Sequence, residues 1–547
     1  MNDIPKRGPM PGGMMHVPML VSEMISYAAC YHGETEVVGR KVDHSIERSN
    51  WAEIHKRAAR LANALLAHGY DENARVATLA WNTLDHLVLF YGVLGLGIPL
   101  HTLNPRLTPE DLAYMAELVE DDICFFDAAN TDLVVSLAQT TNAIRQYVFL
   151  GDAVPAEANG LPGIIAIADF LGDASDTIDW PSFEEDRAAT ICFTSGTTGK
   201  PKGVVHSHRS ITLTAMGMSS ADMYAHSLAG EADTVLPVAA MYHSSAWMMP
   251  FTAPMNGQKL VLPGRRLDAD AIVDLILQEG VTLAGGVPTI WLDVISEFER
   301  RGIDKTTLRT ALVAGTPLPA STGDAMIAHG ITPRQTWGMT EVPGAAKASP
   351  PRGARELDPQ MQHELLMARA GRVAMQSLLR IVDDEGNRLP QDGKTKGLLQ
   401  VRGPIVCGRY LGEAGDNAAW LDTGDIAVIH PDSTVAIVDR AKDAIKSGGE
   451  WIASPVLEQA AMYHPGVREA AAIGMPDPRW QERPLLVCVA EPGKERPDDE
   501  ALKASMLDHV AKWWLPDRIE WANELPRTPT GKLDKLALRK EMGLVKS

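Results

Sequence analysis

At 547 residues, with 45% hydrophobic and 22% charged side chains, the chain is long enough for more than one domain around large apolar cores, and its composition excludes disorder. Its 51 basic residues against 70 acidic ones leave a formal charge of -19, which argues against a nucleic-acid or anionic-membrane surface, so any bound phosphate must be held by a local feature. The five cysteines, Cys30, Cys124, Cys192, Cys407 and Cys488, have neither CxxC nor metal-ligand spacing and read as reduced thiols of a cytoplasmic protein.

The first twenty residues break any hydrophobic run with prolines and glycines, unlike a secretory signal. "WAEIHKRAARLANALLAHGY" places Ile54, Ala58, Leu61 and Leu65 at helical spacing; "ARVATLAW" then supplies a short apolar strand and "DHLVLFYGVLGLG" returns to helix. The longest uncharged apolar stretch, Leu87 to Leu100, contains Gly92, Gly95 and Gly97 and is shorter than the ~20 residues of a membrane span, so it reads as a core helix leading into a strand and no transmembrane segment is expected. This alternation predicts an α/β fold with parallel sheets covered by helices. Prolines and charges from Ser349 to Glu364 predict an exposed excursion. Further on, "SPVLEQAAMYH" offers Ser454 as an N-cap with Pro455 in the first turn, and "EAAAIGMP" and "PLLVCVAEP" read as strands, enough for a small separate domain.

"ICFTSGTTGKPKGVVHSHRS" (191–210) carries the most chemistry. Gly199-Lys200 is followed by proline, so it is not a Walker A loop. Thr194, Ser195, Thr197 and Thr198 offer hydroxyl donors, Gly196, Gly199 and Gly203 allow close backbone approach, and Lys200 and Lys202 add charge, a composition suited to wrapping a polyphosphate. By itself such a loop also reads as a surface turn.

The run resembles the phosphate loop of the acyl-adenylate-forming superfamily of acyl-CoA synthetases, luciferases and peptide-synthetase adenylation domains. Other signatures follow in the family's order: "MYHSSAW" (241–247), "QTWGMTE" (335–341), "LLQVRGP" (398–404), "WLDTGD" (420–425), "DRAKDAIKSGGEWIAS" (439–454) and "PRTPTGK" (526–532). The resemblance implies a large multi-sheet adenylating domain, 1–439, and a small mobile α+β domain, 440–547, joined by a hinge near Lys442; a solvated lysine is the other reading of that residue. It implies ATP and Mg²⁺ as cofactors and CoA as cosubstrate.

Residue by residue, the resemblance gives Thr340 a phosphate contact and Glu341 the Mg²⁺ ligand, although alone a Thr-Glu pair also reads as a helix N-cap with a first-turn acid. Trp337 stands where the family packs tyrosine on adenine, with Gly338 beside nucleotide and acyl group. Asp425 and Arg440 take the ribose; alone they would read as a surface ion pair. Lys532 is the lysine of the first half-reaction, reaching the substrate carboxylate and the α-phosphate. His243 lies near acyl and phosphate groups or is a core histidine, whereas His206 and His208 read as structural. Gly448, Gly449 and Trp451 fit a pantetheine arm, and no carrier-protein motif follows Lys532. "VAGTPLP" (313–319) departs from the usual Gly-Gly-Ser-Ala-type run, leaving the nucleotide contacts of Gly315, Thr316 and Pro317 the least defined.

Trp247 either shortens the acyl cavity or packs in the core. "TLNPRL", "AWMMPFTAPMNGQKLVLPG" and "GGEWIAS" are most similar to bacterial short- and medium-chain acyl-CoA ligases. The acid expected is 3-methylmercaptopropionate, activated in dimethylsulfoniopropionate demethylation, with plain short- or medium-chain fatty acids as the alternative, since an apolar pocket distinguishes sulfur from methylene poorly. A nucleotide-binding regulatory protein without turnover is the competing class; the presence of Thr340, Glu341, Asp425, Arg440 and Lys532 argues against it. Homo-oligomerisation is left open.

Overall fold

Ile54, Ala58, Leu61 and Leu65 are all buried on one face of the helix Trp51–Ala67, whose N-terminus is capped by the Asn50 side chain accepting from the Glu53 N–H at 2.9 Å. The apolar stretch after it becomes the helix Leu84–Gly95 and the strand Leu100–Thr102. Gly92 is dictated by packing: a Cβ there would lie 2.9 Å from the Ala58 carbonyl oxygen, so its absence lets the two helices meet. The computed structural model describes residues 10, 12–194, 200–220, 233–347, 353–414, 419–448, 450–527 and 533–544.

The large N-terminal domain contains two seven-stranded sheets. One runs Ile165–Ala166, Gln146–Phe149, Ile123–Phe126, Val76–Leu79, Leu100–Thr102, Ala188–Thr194, Lys202–Ser207; the other runs Thr332–Gln335, Thr310–Val313, Leu283–Gly286, Thr234–Pro237, Lys259–Leu262, Glu36–Arg40, Ile46–Asn50. Each is parallel except for its last, antiparallel pair. Strand residues such as Val76 and Leu100 from the first sheet and Val235 and Leu260 from the second share one apolar core with the helices between them, which fixes the sheets relative to each other. At ~1.5–3 kcal/mol per buried Val, Leu or Ile, this is the main source of stability.

A three-stranded antiparallel sheet (Trp337–Met339, Val342–Lys347, Arg372–Val373) and a four-stranded one (Leu378–Val382, Gly397–Arg402, Leu421–Ile429, Val435–Arg440) share a further core. The smaller C-terminal domain is a five-stranded sheet in which Val467–Asp477 and Gln481–Ala490 form the long central hairpin, covered by the helices Ser454–Met462, Asp499–Met506 and Lys535–Glu541. Its two apolar clusters draw only on residues 445–544, as expected of a unit with its own core. The fold is α/β with multiple sheets and a small α+β end.

Two local expectations shift. Ser454 is the first helical residue and Ala453 the cap, because the Ser454 hydroxyl is engaged elsewhere, donating to Asp439 at 2.6 Å. The excursion after Ser349 contains a helix, Pro359–Ala368, capped by Asp358 and without a buried residue; residues 348–352 lie outside the described ones.

Candidate active site

In open α/β sheets ligands bind beyond the carboxyl ends of the parallel strands, and the motif residues collect there. Thr194 ends the strand Ala188–Thr194; Ser195, Gly196, Thr197, Thr198 and Gly199 lie outside the described residues. Lys202 opens the return strand. His243 follows Thr234–Pro237, the exposed Gly315, Thr316 and Pro317 follow Thr310–Val313, and Trp337 and Gly338 follow Thr332–Gln335. Gly315 adopts φ +97°, which any larger residue would resist.

Thr340 and Glu341 form the two-residue turn of a hairpin between Trp337–Met339 and Val342–Lys347. The helix N-cap reading is therefore overturned: the β-branched and small residues that follow pair as a strand. Gly338 makes this hairpin possible, since a Cβ on it would stand 2.4 Å from the Gly344 nitrogen. Both turn residues are buried, and the His206 ring bonds the Thr340 backbone. Burial pushes His206 down to about 4, so it is neutral at physiological pH.

Glu341 is gripped by a residue the sequence reading missed. Tyr410 donates its hydroxyl to Glu341 Oε1 at 2.7 Å, and the Cys407 N–H donates to the Glu341 carbonyl, also at 2.7 Å. Lys202 stacks its ammonium 4.5 Å above the Tyr410 ring and pairs with Glu413 at 3.1 Å, while Leu411 N–H bonds the Gly203 carbonyl. The segment 407–413 thus ties the phosphate-loop strand to the Thr-Glu turn. Its only sequence signal is its place between "LLQVRGP" and "WLDTGD". Among the described residues no group of three His, Cys, Asp or Glu side chains is arranged to hold a metal ion. A single buried carboxylate such as Glu341 nevertheless fits Mg²⁺, which is commonly held by one or two carboxylates plus substrate phosphates.

Asp425 and Arg440 face each other across neighbouring strands, with Arg440 Nε 3.0 Å from Asp425 Oδ1. Asp425 is 3% exposed while the Arg440 side chain is 42% exposed, so the pair joins a buried acid to a cation that reaches the surface. The other carboxylate oxygen accepts from the Trp337 indole N–H at 2.9 Å, and Arg440 Nη1 donates to the Thr423 carbonyl at 3.1 Å. Indole at this position therefore adds a donor that orients the acid.

Trp247 is half-buried between two features. Ala246, Trp247 and Met248 all have positive φ (51°, 53° and 65°), a run costing of order 1–3 kcal/mol per residue for side chains of this type. Its indole packs on Gly285, whose missing Cβ would sit 3.2 Å from the ring and 2.6 Å from Met249 Cε. His243 stands at the start of this turn, its carbonyl accepting from the Ala246 N–H.

In the C-terminal domain Gly448 turns at φ +63° and donates to the Trp480 carbonyl at 2.9 Å, its Cα hydrogen side facing the Trp480 ring at a distance that admits no Cβ. Trp451 lies under Lys446 Nζ at 4.3 Å, so two indoles flank this turn, Trp480 being one the sequence reading missed. Lys442 is exposed, and Arg539 donates to its carbonyl at 3.2 Å and to Asp443 at 2.9 Å. Gly449 and Lys532 lie outside the described residues. Upstream of Lys532, Arg527 and Arg468 act on Asp293 of the large domain, opposing the upward push of burial and of Glu469 on that carboxyl.

The profile of the AMP-binding enzyme family matches residues 26–411, and that of the AMP-binding enzyme C-terminal domain matches 456–532. The chain is 39% identical over 539 residues to 3-methylmercaptopropionyl-CoA ligase of Ruegeria lacuscaerulensis, covering 97% of this chain and 98% of that protein. It is 38% identical to the medium-chain-fatty-acid–CoA ligase of Ectopseudomonas oleovorans, covering 97% of each. The crystal structure of the anthranilate CoA ligase AuaEII in complex with anthranoyl-AMP superposes with a TM-score of 0.81 at 20% identity, covering 97% of this chain and 99% of that one, which shows the shared fold. With the family profile spanning most of its length and relatives matching end to end, the chain belongs to the AMP-binding enzyme family.

Proposed function

We propose that this enzyme activates 3-methylmercaptopropionate as its acyl-adenylate and transfers the acyl group to CoA, with short- or medium-chain fatty acids as the alternative substrates. The chain is an acid–thiol ligase of the AMP-forming kind, using ATP with Mg²⁺ and CoA. The observation that supports the small-acid reading is the Trp247 indole, which packs on Gly285 and against the main core in the segment that begins at His243; bulk of this kind in an acyl cavity favours short acids. The relatives named for the thioether acid and for medium-chain acids are nearly equal in identity, so identity alone does not choose between them.

In this reading Asp425, oriented by Trp337 and Arg440, accepts from the ribose hydroxyls, and Arg440 keeps the acid aimed. The 194–202 loop and Thr340 hold the phosphates. Mg²⁺ neutralises phosphate charge when bound, and Glu341, aimed by Tyr410, is the carboxylate that receives it. Lys532 neutralises the charge that develops as the substrate carboxylate attacks the α-phosphorus and pyrophosphate leaves. The CoA thiol then attacks the acyl carbon and AMP departs. The domains divide at 439/440 and pivot at Lys442; their separate apolar cores support this. The free thiols support a cytoplasmic setting.

Carboxylate-dependent ATP–pyrophosphate exchange tests adenylation. Competition among 3-methylmercaptopropionate, butyrate, hexanoate and an aromatic acid, read as kcat/KM for thioester formation, tests the substrate; a preference for hexanoate would replace the thioether acid by a fatty acid.

A further inference from the structure

The turn that begins at His243 contains the positive-φ run Ala246, Trp247 and Met248, and strain of this kind persists only where the surroundings fix the backbone from several sides. The segment leading into it leaves the strand Thr234–Pro237, and its own sheet supplies the Gly285 carbonyl, which accepts from both Val238 and Ala239 N–H. Further support comes from the other seven-stranded sheet. Asn82, just beyond the strand Val76–Leu79, is 1% exposed. Its Oδ1 accepts from the Met241 N–H at 2.7 Å, and its Nδ2 donates to the carbonyls of Ala239 at 2.9 Å and Pro237 at 3.3 Å. Its backbone carbonyl accepts from the Gly264 N–H at 2.9 Å, two residues past the strand Lys259–Leu262. One residue at the end of the first sheet thus bonds two strand exits of the second.

Two neighbours act in the same direction. Thr102, on the adjacent strand Leu100–Thr102, donates its hydroxyl to the Tyr242 carbonyl at 3.4 Å, and the Trp81 and Tyr242 rings meet edge-on at 5.8 Å between centroids. Buried backbone groups need partners, and a primary amide brings both an acceptor and donors on one short side chain. Leucine at 82 would strip the Met241 N–H and the Ala239 carbonyl of this partner. Aspartate would turn negative charge toward the carbonyls of Ala239 and Pro237.

We propose that Asn82 is a positioning residue of the first half-reaction, fixing the backbone of residues 239–243 and through it His243 against the acid. The inference rests on the ligase reading, in which this segment meets the acyl group. Being buried, Asn82 acts through the segment that it holds.

The test is a double-mutant cycle between Asn82→Asp and His243→Ala, read as kcat/KM for the acid in carboxylate-dependent ATP–pyrophosphate exchange, with KM for ATP measured alongside. Asn82→Asp keeps the acceptor for Met241 and loses the donors. With His243 present it should lower kcat/KM for the acid by about tenfold or more, as for loss of a buried hydrogen-bond partner, while KM for ATP moves by less than about threefold. In the His243→Ala background the same substitution should cost less than about threefold. An equal cost in both backgrounds, or a matching rise in KM for ATP and for the acid, overturns the proposal and leaves Asn82 a general weld between the sheets. If Asn82→Asp does not fold, Thr102→Val, which removes one hydroxyl and keeps the branched shape, must show the same coupling to His243 at a smaller factor; additive costs there overturn the proposal too. Exchange by the parent keeps the ligase reading whichever way the cycle falls, whereas a parent silent with every acid ends both.

Discussion

Tyr410→Phe removes one hydroxyl and leaves the ring that supports Lys202. In the parent that hydroxyl donates to Glu341 at 2.7 Å, and Glu341 is 4% exposed, so water does not readily replace the donor. A hydrogen bond to a charged group contributes about 1.5–3 kcal/mol, which corresponds to about a tenfold to hundredfold change in an equilibrium. The freed carboxylate should then misalign toward the Mg²⁺–ATP complex. ATP–pyrophosphate exchange should fall by that factor at low Mg²⁺ and recover in part at high Mg²⁺. Thioester formation from supplied acyl-adenylate, which needs no triphosphate, should change little. Titrating the exchange rate with Mg²⁺, alongside equilibrium binding of ATP with and without the cation, separates positioning from damage to the fold. An unaltered Mg²⁺ response, or equal loss of both half-reactions, would refute the role assigned to Tyr410.

Gly338→Ala should lower thermal stability by about 1–3 kcal/mol and suppress adenylation, since its Cβ meets backbone at Gly344 and no side chain can yield; a variant with parent Tm and exchange rate would contradict the hairpin geometry. Trp247→Gly should shift preference toward longer or bulkier acids at a stability loss of up to about 3–5 kcal/mol, checked by kcat/KM across a chain-length series once folding is verified. Burial pushes His86, His206 and His208 each down to about 4, below the ~6.5 of an unfolded chain. Their contribution to stability is complete above about pH 6.5 and is lost as pH falls toward 4, where the unfolded chain binds protons that the fold refuses. Urea midpoints at pH 7.5, 6 and 5 should show a shallower decline in His208→Gln than in the parent; the comparison cancels groups such as Asp127, whose raised value of about 6 acts in the opposite sense.

Where a single periodicity decided an element, the sequence was readable. The helix Trp51–Ala67 and the hairpin strands Val467–Asp477 and Gln481–Ala490 follow from which positions are apolar, and these alternatives differ by whole buried faces. Thr340 and Glu341 were ambiguous because a hydroxyl before an acid suits a helix start as well as a turn; the strand that follows is decided by pairing with Trp337–Met339 on one side and with the more distant Arg372–Val373 on the other. Tyr410 was illegible for a related reason. Its partner lies 69 residues away, and nothing in "CGRYLGE" distinguishes a tyrosine aimed at a buried carboxylate from one on the surface. Trp337 and Asp425, 88 residues apart in the chain, become neighbours only because two different sheets meet at the same rim.

That rim must serve two reactions with incompatible occupants, pyrophosphate leaving in the first and a thiol entering in the second. The junction of the two domains is built from polar groups that could be rearranged. Asp439 accepts from Ser454 N–H and Oγ–H at 2.7 and 2.6 Å, Lys535 bonds the same hydroxyl and pairs with Glu458 at 2.6 Å, and Arg539 holds the Lys442 carbonyl. Such a polar network suits the proposed reading, in which a few torsions carry a domain. Lys532→Ala should reduce acyl-adenylate formation by roughly 10²-fold or more and largely spare CoA attack on supplied acyl-adenylate. Lys442→Pro should do the reverse, since proline fixes φ near about −65° and removes the excursion without touching groups that meet ATP. Single-turnover measurement of each half-reaction decides. Equal loss of both steps in Lys532→Ala ends its assignment to adenylation alone, and parent-like thioester formation in a folded Lys442→Pro protein moves the pivot away from Lys442.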